Sequence, residues 1–194
     1  MFEGLTFGVA DAAERPLALD LRRIVYQEEF GHPPVDELDE RAYHLIARSQ
    51  NGEIIATLRI VGPDQRPFDI ERYVDLSAFF PAERLLALVG GLCIRRDHRS
   101  VTRTGFLPMG MFKLAYAFAR KHKLTDFLTY VYPNLYQFYR GAFFEPLVPA
   151  FEHPSWGTVC LMHLDLEGLE ARHGRSREAF ARFLFHTDLP NIVV

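Results

Sequence analysis

Two cysteines in 194 residues leave no disulfide framework to read, and both Cys93 and Cys160 sit inside strand-like apolar runs. A reducing, cytoplasmic setting is the expectation. Neither cysteine belongs to a Cys-x-x-Cys or paired Cys/His spacing, and His44, His153 and His163 are scattered over strand positions. No zinc site is indicated and no metal is expected. No run approaches the ~18 apolar residues of a membrane span. Residues 1–16 (MFEGLTFGVADAAERP) lack a basic region followed by an apolar stretch, so no secretory signal is expected. Repeats, low-complexity tracts and long linkers are missing as well. Residues 1–194 read as one domain, with 166–194 as a helical extension.

Aromatic residues are plentiful by contrast. The 17 Phe and 8 Tyr point to a well-filled core, an apolar tunnel, or both. Charge is unevenly placed. Arg95 to Lys123 carries eight Lys or Arg and one acid, +7 in a chain whose formal charge is −3, leaving −10 for everything else. That segment reads as a strand end, a basic loop with Gly105 and Gly110, then an amphipathic helix. Backbone N–H donors at a helix start, ringed by guanidinium groups, are a physical answer to binding phosphate. Arg95, Arg96, Arg99 and Arg103, with the amides of Thr104, Gly105 and Phe106, are the candidate donors, and a solvated charge run is the competing account. A phosphate-bearing partner fits this asymmetry better than a generally basic protein does.

Periodicity gives the order β-α-β-β-loop-β-α-β-α-β-β-α, a mixed α/β sheet flanked by helices. Phe2–Val9 opens as a strand. Ala12–Phe30 follows as a helix with Leu17, Leu21, Ile24, Val25 and Phe30 as its apolar stripe, ended by Pro33-Pro34. Strands at Tyr43–Ser49 and Glu53–Val61 flank Asn51-Gly52, a strong hairpin signal. The continuously apolar Arg84–Ile94 (RLLALVGGLCI) reads as a central strand, interrupted by Gly90-Gly91, which suggest a bulge or a close backbone approach. Then come a helix at Leu107–His122, a strand at Thr125–Tyr132 and a short aromatic helix at Asn134–Ala142. A strand pair at Glu145–Phe151 and Thr158–Asp165 precedes a last helix, Leu166–Phe185.

This order resembles the GCN5-related N-acetyltransferase (GNAT) superfamily. Within it the pattern is most similar to the N-acyl amino acid and acyl-homoserine lactone synthases. The residues that carry the likeness are Arg23-x-x-Tyr26-x-x-Glu29, Asp36-x-x-Asp39 and AYHLIARSQNGEIIATLRI with Arg59. They continue with Cys93-Ile94-Arg95-Arg96-Asp97-His98-Arg99, then Asn134-x-Tyr136-x-x-Tyr139 running into Phe143-Phe144-Glu145-Pro146. Three positions depart from it. The loop after Arg99 reaches its first glycine only at Gly105, the strand positions where lactone synthases carry a glutamate and an arginine fall at Leu88 and Gly91, and Phe143 stands where a glycine is usual.

The resemblance implies a mostly antiparallel twisted sheet with one parallel, splayed strand pair, and transfer of an acyl group from an acyl-CoA or acyl-carrier-protein thioester to an amine. Such transfer needs a neutral amine held near the carbonyl and a donor for the oxyanion. The implied donor is a backbone N–H near Leu92–Ile94, at Cys93 or Ile94. Tyr139 takes the implied role of protonating the departing thiolate, with core packing as the rival account and Tyr132 and Tyr136 as rival phenols. Glu29, Asp36 and Asp39 would hold an ammonium or take its proton, and Arg59 would grip a carboxylate; a solvated turn explains the Asp-x-x-Asp equally well. Asn134 is assigned to the donor's arm and Tyr132 to the acceptor. Cys93 beside His98 also invites a nucleophile–base reading, against which stands a small buried side chain. Phe138, Phe143, Phe144, Leu147, Phe151 and Trp156 are candidates for an acyl slot or for core. An acetyl-CoA-dependent small-molecule acetyltransferase and a non-catalytic thioester-binding module remain the alternatives.

Overall fold

The computed structural model describes residues 4–32, 36–99, 106–173 and 178–194, with Phe106 by its backbone alone. The chain runs β1 (Thr6–Val9), α1 (Glu14–Arg22), a π-helical segment (Arg23–Glu29), β2 (Tyr43–Arg48) and β3 (Ile54–Val61). After short 3-10 turns come β4 (Leu86–Ile94), α2 (Phe106–Lys121), β5 (Asp126–Val131) and α3 (Tyr136–Gly141). Then follow β6 (Glu145–Pro146), β7 (Phe151–His153), β8 (Gly157–Asp165), α4 (Leu166–His173), α5 (Ala179–His186) and β9 (Ile192–Val193). One sheet has the order β6-β8-β5-β4-β3-β2-β1-β9, with β7 added onto β8. Its pairs are antiparallel except β4 with β5, as the resemblance implied, and β1 with β9. No helix among the described residues is long and apolar enough to cross a membrane.

Parallel β4 and β5 need a crossover, and α2 supplies it, burying Leu107, Met111, Leu114, Ala115 and Phe118 against one face of the sheet. On the other face a second apolar cluster forms where the Pro- and Asp-rich segment 62–82 lays Phe68, Ile70, Leu76 and Phe80 over Leu88 and Leu128.

β4 and β5 share register only from Leu86/Asp126 to Leu88/Leu128. Beyond that, β5 stays with β8 up to Val131 and β4 stays with β3 up to Ile94. The cause lies in β4. Thr57 faces Cys93 and Arg59 faces Gly90, so Gly91 and Leu92 share the partner Leu58, and Gly91 has φ +63°. This is a glycine bulge, which bends its strand and sharpens its twist, and it turns β4 away from β5. At the closed end, Arg84 holds the wings together. Its guanidinium donates to both oxygens of the buried Asp126 (2.6 Å each), to Asp165 (2.9 Å) and to Glu167.

Four expectations are corrected. The helical stripe is turned: Leu17, Ile24 and Phe30 are exposed, while Ala18, Leu21, Arg22 and Val25 are buried, because the π segment widens the turn and an arginine takes a core position. Glu145–Phe151 breaks into β6 and β7, as Pro146 and Pro149 cannot sustain a ladder. The last helix is two, α4 and α5. β9 was unforeseen, since two residues carry no periodicity. Phe143, at the position where a glycine is usual, adopts φ +70° and stacks on His173 (4.1 Å between ring centroids), so ring packing offsets a backbone cost of about 1 kcal/mol.

Replacing Arg84 by Ala leaves the Asp126 carboxylate buried with only His163 and Thr125. Urea unfolding is expected to show a loss of about 3 kcal/mol or more. Burial raises the Asp126 carboxyl, but His163, Arg84 and Thr125 together hold it below 3.8. Its contribution is therefore complete above pH 4 and is lost as pH falls below that, which acid unfolding of the wild type will register.

Candidate active site in the splayed strand pair

The opening between β4 and β5 is a cleft with about 70 Å³ of water-sized space. Gly90, Gly91 and Val89 of β4 form one wall, Tyr130 and Tyr132 the other, and Tyr26 and Trp156 close over it. Trp156 and Tyr26 meet edge to face at 6.0 Å, and His32 stacks on Tyr132 at 5.8 Å. The Tyr26 hydroxyl reaches the Leu92 carbonyl at the bulge (3.4 Å).

Under the floor lies a buried ionic network. Asp39 is 0 % exposed, Arg22 1 % and Arg59 5 %. Arg59 Nη1 donates to Asp36 (2.5 Å) and lies 3.1 Å from Asp39 Oδ2, and Arg22 Nη1 lies 3.4 Å from Asp39 Oδ1. The Asp36 N–H donates to Asp39 Oδ2 (2.9 Å), so the Asp-x-x-Asp turn folds onto its own side chain. Burial works to raise the Asp36 carboxyl, but the Arg59 guanidinium outweighs it and holds it below the usual range. Two donors at the cleft lack a protein partner among the described residues: Arg59 Nε and the Tyr132 hydroxyl, both buried.

Asp36, Asp39, Arg59 and Tyr132 thus come together. Glu29 does not join them, because it takes a bidentate pair with Arg99 (2.6 and 2.9 Å). Sequence reasoning missed Arg22 and favoured its neighbour Arg23, which is half-exposed and pairs with Glu28. The signal available was the cross-chain geometry at Gly91, where a Cβ would lie 1.8 Å from Arg22 Nη1. No spacing rule reveals that.

Half of the eight cations in the basic segment have partners within the fold. Arg95 donates to Asp97 (2.8 Å) and Glu53 (3.2 Å), Arg99 Nε to the Ile94 carbonyl (2.8 Å), Lys113 to the Phe183 and Leu184 carbonyls, and Arg120 to Glu170. Arg96 is exposed and, with Arg95, Ile24 and Glu29, rims an open depression of about 680 Å³ at the end of β4. Arg103, Thr104 and Gly105 lie outside the described residues, and Phe106 begins α2. Asn134 is exposed on the turn that ends β5.

Cys93 is buried among Leu21 and Val25, and burial pushes its thiol up to about 12, which leaves it uncharged and a poor nucleophile. Tyr139 packs edge to face on Phe112 (5.9 Å) and Phe144 (5.4 Å), and burial pushes it up to about 12 as well. Of the aromatic residues proposed for an acyl slot, Trp156 lines the cleft. Phe144 belongs to the core behind β4, Phe138 is exposed, and Phe151 packs near Tyr73 and Tyr130.

The mixed sheet opened between two parallel strands is the fold that this chain shares with solved N-acyltransferase structures. The model of the N-acyl amino acid synthase FeeM family matches residues 18–165, and the chain belongs to that family. It is thus an enzyme that transfers an acyl group to an amine. Among solved structures, FeeM from uncultured soil microbes superposes with a TM-score of 0.75 at 15% identity over 86% of this chain and 93% of that one. The CoA-dependent acyl-homoserine lactone synthase BjaI, solved with SAM and isopentyl-CoA, gives 0.64 at 18% over 89% and 91%. An acyl-CoA N-acyltransferase from Pseudomonas aeruginosa gives 0.59 at 19% over 82% and 97%. No curated protein matches.

The two adjacent glycines separate packing from geometry. A Cβ at Gly90 meets nothing within 4 Å, whereas at Gly91 it meets positive φ and the Arg22 guanidinium. Gly91→Ala is expected to cost at least about 2 kcal/mol in chemical denaturation and to abolish turnover, while Gly90→Ala changes stability by less than about 1 kcal/mol.

Proposed function

We propose that this enzyme moves an acyl group from a pantetheine thioester, on CoA or on acyl carrier protein, to the amine of an amino acid. The observation that carries the reading is the pair of buried, unpartnered donors at the cleft, Arg59 Nε and the Tyr132 hydroxyl. A buried donor left alone costs about 1–3 kcal/mol, and an acceptor's carboxylate satisfies both. Asp36 and Asp39 hold Arg59 in its charged form, and Asp39 also pairs with Arg22.

The thioester enters along the β4 edge that β5 has left. Backbone N–H groups around Cys93 and Ile94 polarise its carbonyl, so these residues act through their main chain. Arg96, Arg95 and Arg99, with Arg103, Thr104, Gly105 and the Phe106 amide, serve the donor's phosphates, and Asn134 serves its pantetheine arm from the other wing. The amine attacks the carbonyl carbon, the C–S bond breaks, and Tyr139, kept protonated by burial, donates its proton to the thiolate.

Intact-mass detection with acyl-CoAs and acylated carrier proteins of graded chain length, each offered the twenty amino acids, tests the reading. Transfer to an amino acid is expected. Activity only with acetyl-CoA and simple amines would overturn the acceptor assignment in favour of a small-molecule acetyltransferase. A carrier-protein donor will lose kcat/KM steeply with added salt, and a CoA donor far less.

Tyr139→Phe keeps the ring packing and removes the acid. Turnover is expected to fall about 100-fold while thioester affinity, read by calorimetry, stays within about twofold. Equal loss of both would assign Tyr139 to packing alone.

A further inference from the structure

Amide synthesis from an amino acid begins with a proton in the wrong place, since the acceptor arrives as an ammonium ion. Tyr130 lines the cleft on the β5 side, and its hydroxyl donates to Asp69 Oδ1 (3.0 Å). Asp69 starts the 3-10 turn Asp69–Arg72 and accepts the Ile70 N–H as well (2.9 Å). Asp69 also lines a separate outer depression of about 170 Å³, formed with Glu37, Arg41, Glu71 and Arg72. One residue therefore meets the inner cleft through a phenol and stands at an outer depression as well.

One histidine, one arginine and a tyrosine surround the Asp69 carboxylate. His153 accepts the Ser155 N–H at Nδ1 (3.1 Å), which leaves Nε2 as the protonated nitrogen, 3.9 Å from Asp69 Oδ2 and buried without a hydrogen-bond partner among the described residues. Burial lowers the His153 ring despite Asp69 and Asp36 nearby, so it is neutral at neutral pH. Arg59, on β3, is the cation facing Asp69 from the network side, and Asp36 already takes its Nη1. Tyr73 flanks Tyr130 and His153. Arg66 and Arg72 pair with Glu71 and Glu37 rather than with Asp69.

We propose that Tyr130 and Asp69 form the proton exit for the acceptor amine, an inference that rests on reading the cleft as the amine's site. The ammonium gives one proton to the Tyr130 oxygen as the Tyr130 O–H gives its own to Asp69 Oδ1. Nitrogen becomes neutral, Asp69 becomes a carboxylic acid, and the phenol is regenerated. The proton stays on Asp69 through the attack and then leaves to water in the outer depression. The second nitrogen proton departs as the C–S bond breaks, matching the one taken up by the thiolate.

Tyr130→Phe and Asp69→Asn, both close in shape to the originals, test this with two acceptors: the preferred amine and its aminooxy analogue, which is neutral throughout the assay range. With the amine, wild-type kcat/KM is expected to be nearly flat from pH 6 to 8. Both variants should fall 30-fold or more at pH 7 and climb about tenfold per pH unit. With the aminooxy acceptor both should stay within about threefold of wild type. An equal drop with both acceptors assigns the pair to architecture and overturns the relay, as does an unchanged profile. A wild type that acylates no amino acid sinks the acceptor reading instead; the comparison is then run with the amine it does acylate, and the same outcomes decide.

Discussion

Everything at the site depends on β4 being unable to follow β5. Hydrogen bonding between parallel strands favours continuing the ladder, so an opening must be imposed from elsewhere. The glycine bulge at Gly91-Leu92 imposes it, and Arg22 makes it irreversible by putting a guanidinium where any other residue would have its Cβ. Arg84 and its three carboxylates confine the separation to one end. The result is a V rather than a split sheet, with β4's free edge and the aromatic wall of β5 held at a fixed distance.

The ionic network beneath the V is costly to bury, and two arginines with two aspartates are weak stabilisers compared with an apolar core. Their value is positional. Arg22 ties α1 to the bulge, Asp39 joins Arg22 to Arg59, and Arg59 carries that chain to the cleft surface with one nitrogen still to be satisfied. Substrate recognition and the integrity of the opening thus share the same atoms.

The sheet was legible wherever local chemistry decides structure. Asn51-Gly52 marks its hairpin, the unbroken apolar run marks the doubly covered β4, and Gly90-Gly91 marks the bulge. Asp36, Asp39, Arg59 and Tyr132 were legible through order along the chain, and they meet. What the sequence hid are facts of tertiary pairing. Glu29 looks like a substrate carboxylate until Arg99 is seen to pair with it, and the eight cations of the basic segment look alike until Arg95, Lys113 and Arg120 are followed to partners inside the fold while Arg96 stays exposed. Arg22 and Arg23 are indistinguishable as letters, yet one is core and the other solvent. Asp69 stands in a Pro- and Asp-rich stretch with no motif at all.

The π-helical segment Arg23–Glu29 has a consequence of its own. A π turn is an α-helix holding one residue too many. Removing a single residue there would restore ordinary winding, and the chain beyond would swing by about 100°. The facings of Tyr26, now at the Leu92 carbonyl, and of Glu29, now paired with Arg99, would change relative to the sheet. In the present winding one short helix addresses the floor of the V and the end of β4 at once, so a length change of one here would disturb both ends of the site together.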